Sequence, residues 1–288
     1  RRTLADLYTE NYFGAYADIC QRYGLQLSVE PYGNGNFNDL DAGGQGVIPM
    51  TEFWVGWGAD LSGPKLASSI AHTYGRKYVG AESFTADSTN GRWQNHPANL
   101  KALGDIIYTG GVNRFIFHRY AHQPWMDVVP GMTMGPWGFH FERTNTWWEQ
   151  GSAWLQYLTR CQFLLQEGRF RADFCYLVSD DSPNSLPGRS GLSPAPPDGY
   201  DYDGCNAEVV LTRMGVQKGR LVLPDGMAYR FLVLPSSDTM RPTLLRKLRD
   251  LVRAGATVIG PRPVRSPSLQ GQPAADEEVA TMAREVWG

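Results

Sequence analysis

The sequence has almost no charge imbalance and no long apolar run, and these two absences limit what it can bind. It carries 27 basic and 29 acidic residues among 288, which gives a formal net charge of −2. Such a chain has no strong electrostatic attraction for nucleic acid or for an anionic membrane surface. No run of 18 apolar residues predicts a transmembrane helix, and the polar N-terminal segment is not typical of a signal peptide. We therefore expect neither a nucleic-acid nor a membrane partner.

Several motifs with a recognised chemistry are also missing. The four cysteines are scattered without CxxC spacing, so the pattern indicates neither a disulfide framework nor a zinc site. The sequence contains no Walker A motif, no HExxH and no GxSxG, and no GxGxxG opens a helix after a strand. These absences argue against nucleotide binding, zinc-dependent proteolysis and serine hydrolysis.

Helical and strand-like patterns alternate along the first part of the chain. Apolar periodicity and stop signals predict helices over residues 3–23, 63–74, 97–108 and 147–166. Short β-branched or aromatic runs predict strands over residues 25–30, 47–51, 77–81, 113–118 and 172–178. This order is typical of an α/β fold with a parallel sheet. We interpret residues 1–179 as part of a (β/α)8 (TIM-type) barrel.

A second unit is predicted after a stretch rich in proline, glycine, serine and aspartate. That stretch, residues 180–204, has the composition of a linker or a long functional loop. Beyond it, a strand over 229–234, a helix over 241–254 and a strand over 257–259 restart the alternation. We interpret residues 205–288 as a small flavodoxin-like or glutamine-amidotransferase-like α/β domain.

Titratable residues recur at the predicted strand ends. Four strand candidates of the first unit run into Glu30, Glu52, Glu82 and His118. In a (β/α)8 barrel the carboxyl ends of the strands converge on one face, where catalytic groups lie. Several carboxylates ringed by aromatic side chains are typical of glycoside hydrolysis, which needs one carboxyl as acid and another as base or nucleophile. A carbohydrate, such as a plant or bacterial glycan, is therefore the predicted ligand.

Aromatic residues are unusually frequent in the loops. They make up 12% of the chain, and the nine tryptophans cluster in segments such as "TEFWVGWG" and "GPWGFHFERTNTWW". Flat aromatic faces in loops suit the apolar faces of sugar rings, and histidine suits their hydroxyl groups. The predicted substrate-binding side chains are Trp54, Phe84, His118, His122, Trp125 and Trp137.

Long segments of the sequence resemble one known family. "TEFW", "GRKYVGAESFT", "NRFIFHRYAHQPW", "GPWGFHFERTNTWWEQ" and "GYDYDGCNAEVVL" are similar to motifs of glycoside hydrolase family 106, a group of large bacterial α-L-rhamnosidases. The resemblance implies an inverting, calcium-dependent enzyme of a periplasmic or secreted kind. It implies that Glu82 is the general base, that Glu52 helps to hold Ca²⁺, and that Asp201 reaches the same metal site.

The chain departs from the family pattern at its beginning. The family's general acid lies further upstream than the 51 residues that precede Glu52. Glu30 is the candidate substitute, because it also stands at a strand end. We expect the chain to be an internal piece of a rhamnosidase or a minimised relative. Half a barrel would leave sheet edges open, which predicts a homodimer or a missing upstream barrel half as their cover.

Two other functions are also compatible with the sequence. One is a glycosidase of different specificity, cleaving β-galactosides or β-glucosides. The other is a non-catalytic carbohydrate-binding remnant of a larger enzyme. The aromatic loops are expected in all three cases and do not discriminate among them.

Overall fold

The computed structural model describes residues 1–33 and 35–288. The chain begins with a continuous helical segment, which consists of α1 (Arg2–Tyr8), a π-helical turn (Thr9–Gly14) and α2 (Ala15–Arg22). Gly24 follows with φ +67°, a left-handed conformation that glycine adopts without strain. The helix predicted over residues 3–23 is therefore present. In the described part of the chain, no helix has the length and apolar character needed to cross a membrane.

Four parallel strands form the first sheet, in the order in which they occur along the chain. They are β1 (Ser28–Val29), β2 (Ile48–Trp54), β3 (Gly80–Thr85) and β4 (Arg114–Phe117). The helices between them are α3 (Asp39–Gly44), α4 (Ser62–Tyr74) and α5 (Pro97–Thr109), and α6 (Ser152–Leu165) follows β4. The strand–helix alternation confirms the predicted α/β class with a parallel sheet.

Several strand boundaries differ from the prediction, and three of them affect the site. The strand predicted over residues 25–30 covers only Ser28–Val29, so Glu30 follows it. The expected strands 47–51 and 77–81 stop before Glu52 and Glu82, whereas β2 and β3 continue through both residues. Glutamate has a low intrinsic preference for strands, so its presence had indicated an end. Pairing between neighbouring strands overrides that preference here.

A second parallel sheet contains four strands in the order β11, β10, β5, β6. These are β5 (Phe174–Leu177), β6 (Tyr202–Cys205), β10 (Phe231–Val233) and β11 (Thr257–Ile259). A small antiparallel sheet is made of β7 (Gly215–Gln217), β8 (Arg220–Val222) and β9 (Ala228–Tyr229). The helices of this half are α7 (Ala207–Thr212), α8 (Pro242–Arg253) and α9 (Ala274–Trp287).

The second sheet contains strands from both sides of the predicted domain boundary near residue 180. β5 lies within the segment assigned to the barrel, and β6 begins inside the predicted linker, yet the two strands pair with each other. β5 also pairs with β10. The division into residues 1–179, 180–204 and 205–288 stays a prediction.

Helix α4 is packed between the two large sheets. Ala67 and Ala71 belong to the apolar cluster that contains Phe53 of the first sheet. Leu66 and Ile70 belong to a second cluster that contains Phe174 and other residues of the second sheet. The helix ends at Gly75, whose φ is +71°. Every residue from Pro64 to Ala71 is buried, as expected of a helix with neighbours on both sides.

Candidate active site

Glu52 and Glu82 are brought side by side by the register of β2 and β3. Glu52 pairs with Glu82 in the parallel ladder, one residue after Thr51 pairs with Ala81. Phe53 and Ala81 point into the core formed with α4 and α5. Because side chains alternate along a strand, Glu52 and Glu82 point to the opposite face. Neighbouring strands lie about 4.8 Å apart, so the two carboxylates emerge close together.

The ladder is irregular immediately beyond this pair. The register shifts so that Trp54 pairs with Thr85, which leaves one extra residue in β3. Phe84, within this bulge, has φ +60°, an unusual backbone conformation for a bulky residue. Bulges redirect side chains and occur often beside active sites. The Oγ1 of Thr85 donates a hydrogen bond of 2.5 Å to Glu82 Oε1, which fixes that carboxylate.

Glu30 joins this pair from the end of β1. It follows Val29 directly, at the exposed rim of the sheet. Partial burial, followed by the negative charges of Glu82 and Glu52, raises the pKa of Glu30 to about 7, although Tyr32 partly offsets the rise. A carboxyl group with this pKa keeps its proton over much of the neutral pH range.

The pKa of Glu52 is also raised above its ordinary value. Burial and the charge of Glu82 raise its pKa, while the Trp54 side chain and His118 act in the opposite direction. Three glutamates on three neighbouring strands therefore influence one another. Mutual repulsion of this kind favours a state in which one of the carboxyl groups is protonated. This is the electrostatic arrangement that acid–base catalysis requires.

Aromatic and histidine side chains border the glutamates. The rings of Trp54 and Trp57 are stacked with centroids 4.4 Å apart, and Trp137 meets Trp54 edge-on at 6.1 Å. The buried Nδ1 of His118 has no hydrogen-bond partner among the described residues. Buried polar atoms are normally paired, so this nitrogen is an exception among the polar groups near the glutamates.

The remaining predicted sugar-binding residues are Phe84, His122 and Trp125. Phe84 is 0% exposed and packs against Phe53 and other core rings, so its assignment to substrate binding was wrong. Its aromatic ring supports the bulge from within the core. His122 and Trp125 lie on the long loop after β4, where neither has a hydrogen bond or ring contact with a glutamate in the described part of the chain.

The two residues expected to hold calcium do not meet. Asp201 Oδ1 accepts hydrogen bonds from Lys65 Nζ at 2.9 Å and from the Tyr202 backbone N–H at 2.8 Å. These contacts tie Asp201 to α4, not to Glu52. Among residues 1–33 and 35–288, no group of three or more histidine, cysteine or acidic side chains is arranged to hold a metal ion. The geometry therefore does not fit the expected ligand pair, although calcium binding itself stays untested.

A buried polar cluster behind His118 was missed in the sequence. Glu142 is fully buried and accepts hydrogen bonds from Trp93 Nε1 at 2.7 Å and Thr144 Oγ1 at 3.1 Å. Arg119 is hydrogen-bonded to His140, and its Nη1 lies 3.9 Å from Glu142 Oε2. Burial, followed by the charge of Arg119, lowers the pKa of His140 to about 4, so this histidine is neutral at pH 7. The charged residues inside the aromatic segment "GFHFERTNTWW" were the available signal.

Comparison with known proteins identifies the family of the chain. The family profile of glycoside hydrolase family 106, described as alpha-L-rhamnosidase, matches residues 1–288. A relative from Formosa agariphila with the name "Putative beta-glucuronidase" is 44% identical over 293 residues. The solved structure of a rhamnosidase from Novosphingobium sp. PP1Y superimposes with a TM-score of 0.85 at 31% identity.

Both comparisons cover the whole of this chain and a minor part of the relative. The matched region is 24% of the Formosa agariphila protein and 28% of the Novosphingobium rhamnosidase. The predicted family resemblance is confirmed, and the mixed α/β fold with parallel sheets is that of the corresponding rhamnosidase region. The chain belongs to glycoside hydrolase family 106.

Proposed function

We propose that this chain carries part of the catalytic centre of an α-L-rhamnosidase, in which Glu82 is the general base and Glu30 the general acid. The observation that supports this most directly is the convergence of Glu30, Glu52 and Glu82 from three neighbouring strands. The pKa of Glu30 is raised to about 7 at the same place. A proton donor and an ionised acceptor can then coexist at neutral pH.

In the proposed reaction, Glu30 donates its proton to the glycosidic oxygen while the bond from that oxygen to the anomeric carbon breaks. A water molecule attacks the anomeric carbon from the opposite side, and Glu82 takes up the proton that this water loses. The leaving group departs as an alcohol, and the sugar gains a hydroxyl group. Glu30 ends ionised and Glu82 protonated, and proton exchange with solvent restores both.

Strand spacing supports inversion for this pair of residues. β2 lies between β1 and β3, so the backbones that carry Glu30 and Glu82 are two strand spacings apart, or roughly 10 Å. Inverting glycosidases hold their carboxyl groups roughly 6.5–9.5 Å apart, which leaves room for the attacking water. The Trp54 and Trp137 rings and the His118 side chain would contact the rhamnose ring.

The proposed architecture is a partial (β/α)8 barrel followed by a flavodoxin-like α/β domain. The four strands of the first sheet run parallel in chain order, with helices between them, as in a barrel segment. β1 and β4 each have one unpaired edge among the described residues. A further barrel half, or a second copy of the chain, would cover these edges.

Two substitutions test the assignment. Glu82→Gln and Glu30→Gln keep the side-chain volume and remove the base or the acid. Each is expected to lower kcat on 4-nitrophenyl α-L-rhamnopyranoside by roughly 100- to 10,000-fold. Glu278→Gln on the exposed surface of α9 is the matched control. Proton NMR of the first-formed sugar reports whether the anomeric configuration is inverted. Unchanged hydrolysis by both site variants would end the assignment.

The name of the Formosa agariphila relative supports a second candidate, a β-glycosidase. In that case Glu52 and Glu82, only one strand spacing apart, would form a retaining pair, since retaining enzymes hold their carboxyl groups roughly 5–5.5 Å apart. Aryl β-glucuronides, β-galactosides and β-glucosides assayed beside the rhamnoside separate the two candidates. Calorimetric binding of L-rhamnose without turnover of any substrate would instead indicate a non-catalytic sugar-binding segment.

A further inference from the structure

Trp57 is exposed to solvent but held in one position. Its indole is 64% exposed, yet Nε1 donates a hydrogen bond of 3.1 Å to Asp87 Oδ2. One face of the ring stacks on Trp54 at an interplanar angle of 14°. An exposed side chain ordinarily keeps its rotamer freedom in the folded state. Trp57 has already lost that freedom, so a ligand that stacks on it would not have to order it.

The residues that hold Trp57 are themselves fixed. Asp87 Oδ1 accepts hydrogen bonds from the backbone N–H groups of Thr89 at 2.9 Å and Asn90 at 2.8 Å. Trp57 stands between Gly56 and Gly58, whose φ angles are +86° and +82°. These left-handed conformations favour glycine and allow the chain to turn tightly around the indole. The loop is therefore built to present this ring.

Trp57 borders a cleft of about 500 Å³ beside the catalytic glutamates. Glu52, Trp54 and Tyr32 line the side nearest the first sheet. Ser185 and Leu186 contribute from the loop that follows β5. The cleft therefore adjoins the glutamate cluster through Glu52, while Glu30 and Glu82 do not line it, and the loop after β5 contributes to its opposite side. Its volume is sufficient for a single sugar ring.

The charges of the cleft indicate which sugars it accepts. Glu52 and Asp60 line it, and no lysine, arginine or histidine does so among the described residues. A carboxylate or phosphate ligand would be repelled, because it would meet negative charge without a compensating cation. A neutral polyhydroxylated ligand can hydrogen-bond to the same carboxylates and lay its apolar face on the indole.

We propose that this cleft is a subsite for a neutral sugar on the leaving-group side of the scissile bond, with Trp57 as its stacking platform. The inference rests on the proposed function, since it places a second sugar beside the one held between Glu30 and Glu82. Trp57 determines which glycan is accepted, and Asp87 is a positioning residue that acts through the indole. The glutamates carry out the chemistry, so loss of Trp57 should weaken binding of the larger substrate and leave cleavage of a small aryl glycoside intact.

The experiment compares two ligands and several variants in the whole chain. Isothermal titration calorimetry gives the contribution of the second sugar to Kd, with L-rhamnose and a rhamnosyl-α-glucose disaccharide as ligands and with Glu82→Gln in every protein compared so that the disaccharide is not cleaved. Trp57→Ala is expected to weaken disaccharide binding about tenfold and to leave rhamnose binding unchanged. Trp57→Phe keeps a ring and should largely restore it, while Asp87→Ala should give a smaller loss. Tyr23→Ala, an exposed aromatic at the end of α2, is the control.

The outcomes separate this inference from the proposed function. Equal disaccharide affinity with and without Trp57→Ala would overturn the subsite, as would a Glu82→Gln parent that binds the disaccharide no better than rhamnose. Neither result would affect the roles assigned to Glu30 and Glu82, because the aryl rhamnoside assay tests those roles separately. Tighter binding of a rhamnosyl-glucuronic acid disaccharide than of the neutral one would also overturn the proposal, because it would contradict the charge argument.

Discussion

Both large sheets contain four parallel strands, but the carboxylate side chains of the two sheets have different surroundings. In the first sheet, Glu30, Glu52 and Glu82 face one another, and burial and repulsion shift the pKa values of Glu30 and Glu52 upwards. In the second sheet, buried Asp203 accepts hydrogen bonds from Tyr229 Oη and from His72 Nδ1, both at 2.9 Å. Carboxylates that face other carboxylates without a lysine or arginine between them are costly, and perturbed pKa values of this kind are typical of functional sites.

The same contrast extends to the loops after the strands. Asp180 follows β5 and is paired with Arg241 at 2.9 Å and Arg2 at 3.3 Å. Its position at a strand end matches that of Glu30, but its surroundings neutralise it. The comparison indicates that position at a strand end is not enough to identify a catalytic group. What distinguishes the site is that its carboxylates face one another and that, among the described residues, no lysine or arginine pairs with them.

The largest effect that would test this comparison is expected at Asp203. Asp203→Ala leaves the buried Tyr229 hydroxyl and His72 without their acceptor, so the free energy of unfolding should fall by about 3 kcal/mol. Urea titration followed by circular dichroism measures it. Asp250→Ala, an exposed residue of α8, should change the free energy of unfolding by less than about 0.5 kcal/mol. A loss at Asp203 as small as that of Asp250 would remove the distinction between the two sheets.

A smaller effect is expected in the dependence of kcat/KM on pH. Because Glu30 with a pKa of about 7 must be protonated to act as an acid, kcat/KM should fall about tenfold per pH unit above pH 7. Glu30→Gln should be slow and lack this decline. Since the folded-state pKa lies above the ordinary value, the stability linked to Glu30 is present below pH 4.5 and is lost as pH rises through about 7.

The same titration can be followed without activity. The melting temperature of the wild type should decline more between pH 5 and pH 8 than that of Glu30→Gln. Other carboxyl groups titrate in both proteins, so the difference between the two curves isolates Glu30. Parallel curves would mean that the pKa of Glu30 is ordinary and that another group supplies the proton.

The smallest effect concerns Asp201. Asp201→Asn weakens its ion pair with Lys65, and because Asp201 is partly exposed the free energy of unfolding should fall by only about 1 kcal/mol. Calcium should shift the melting temperature of the wild type and the variant equally. A calcium-dependent stabilisation lost only in Asp201→Asn would show that Asp201 is a metal ligand after all, as the family resemblance implied.

The order of strands and helices and the family were accessible from the sequence because both depend on local signals. Gly75 after the helical pattern and the strand-like residues 77–81 before Glu82 are read directly from the chain. The register that sets Glu52 opposite Glu82 depends on pairing between strands 30 residues apart, which no local pattern encodes. For this reason the sequence indicated strand-end glutamates but not that β2 and β3 continue through them.

The assignment of Phe84 to substrate binding was wrong for a related reason. Phe84 and Trp57 both stand near the glutamates in sequence, but one is fully buried and the other exposed. The β3 bulge turns Phe84 into the core, and the glycines beside Trp57 turn its ring outward. Sequence composition gives the number of aromatic rings and not the direction in which backbone irregularities point them.

Helix α4 packs against both halves of the molecule. Because it is buried against each large sheet, removing either half would expose an apolar helix face to water. The two halves should therefore unfold together, and a protease should find no cut near residue 180 that releases a stable fragment. An evolutionary exchange of the second half for another domain would have to supply a new surface for the same helix.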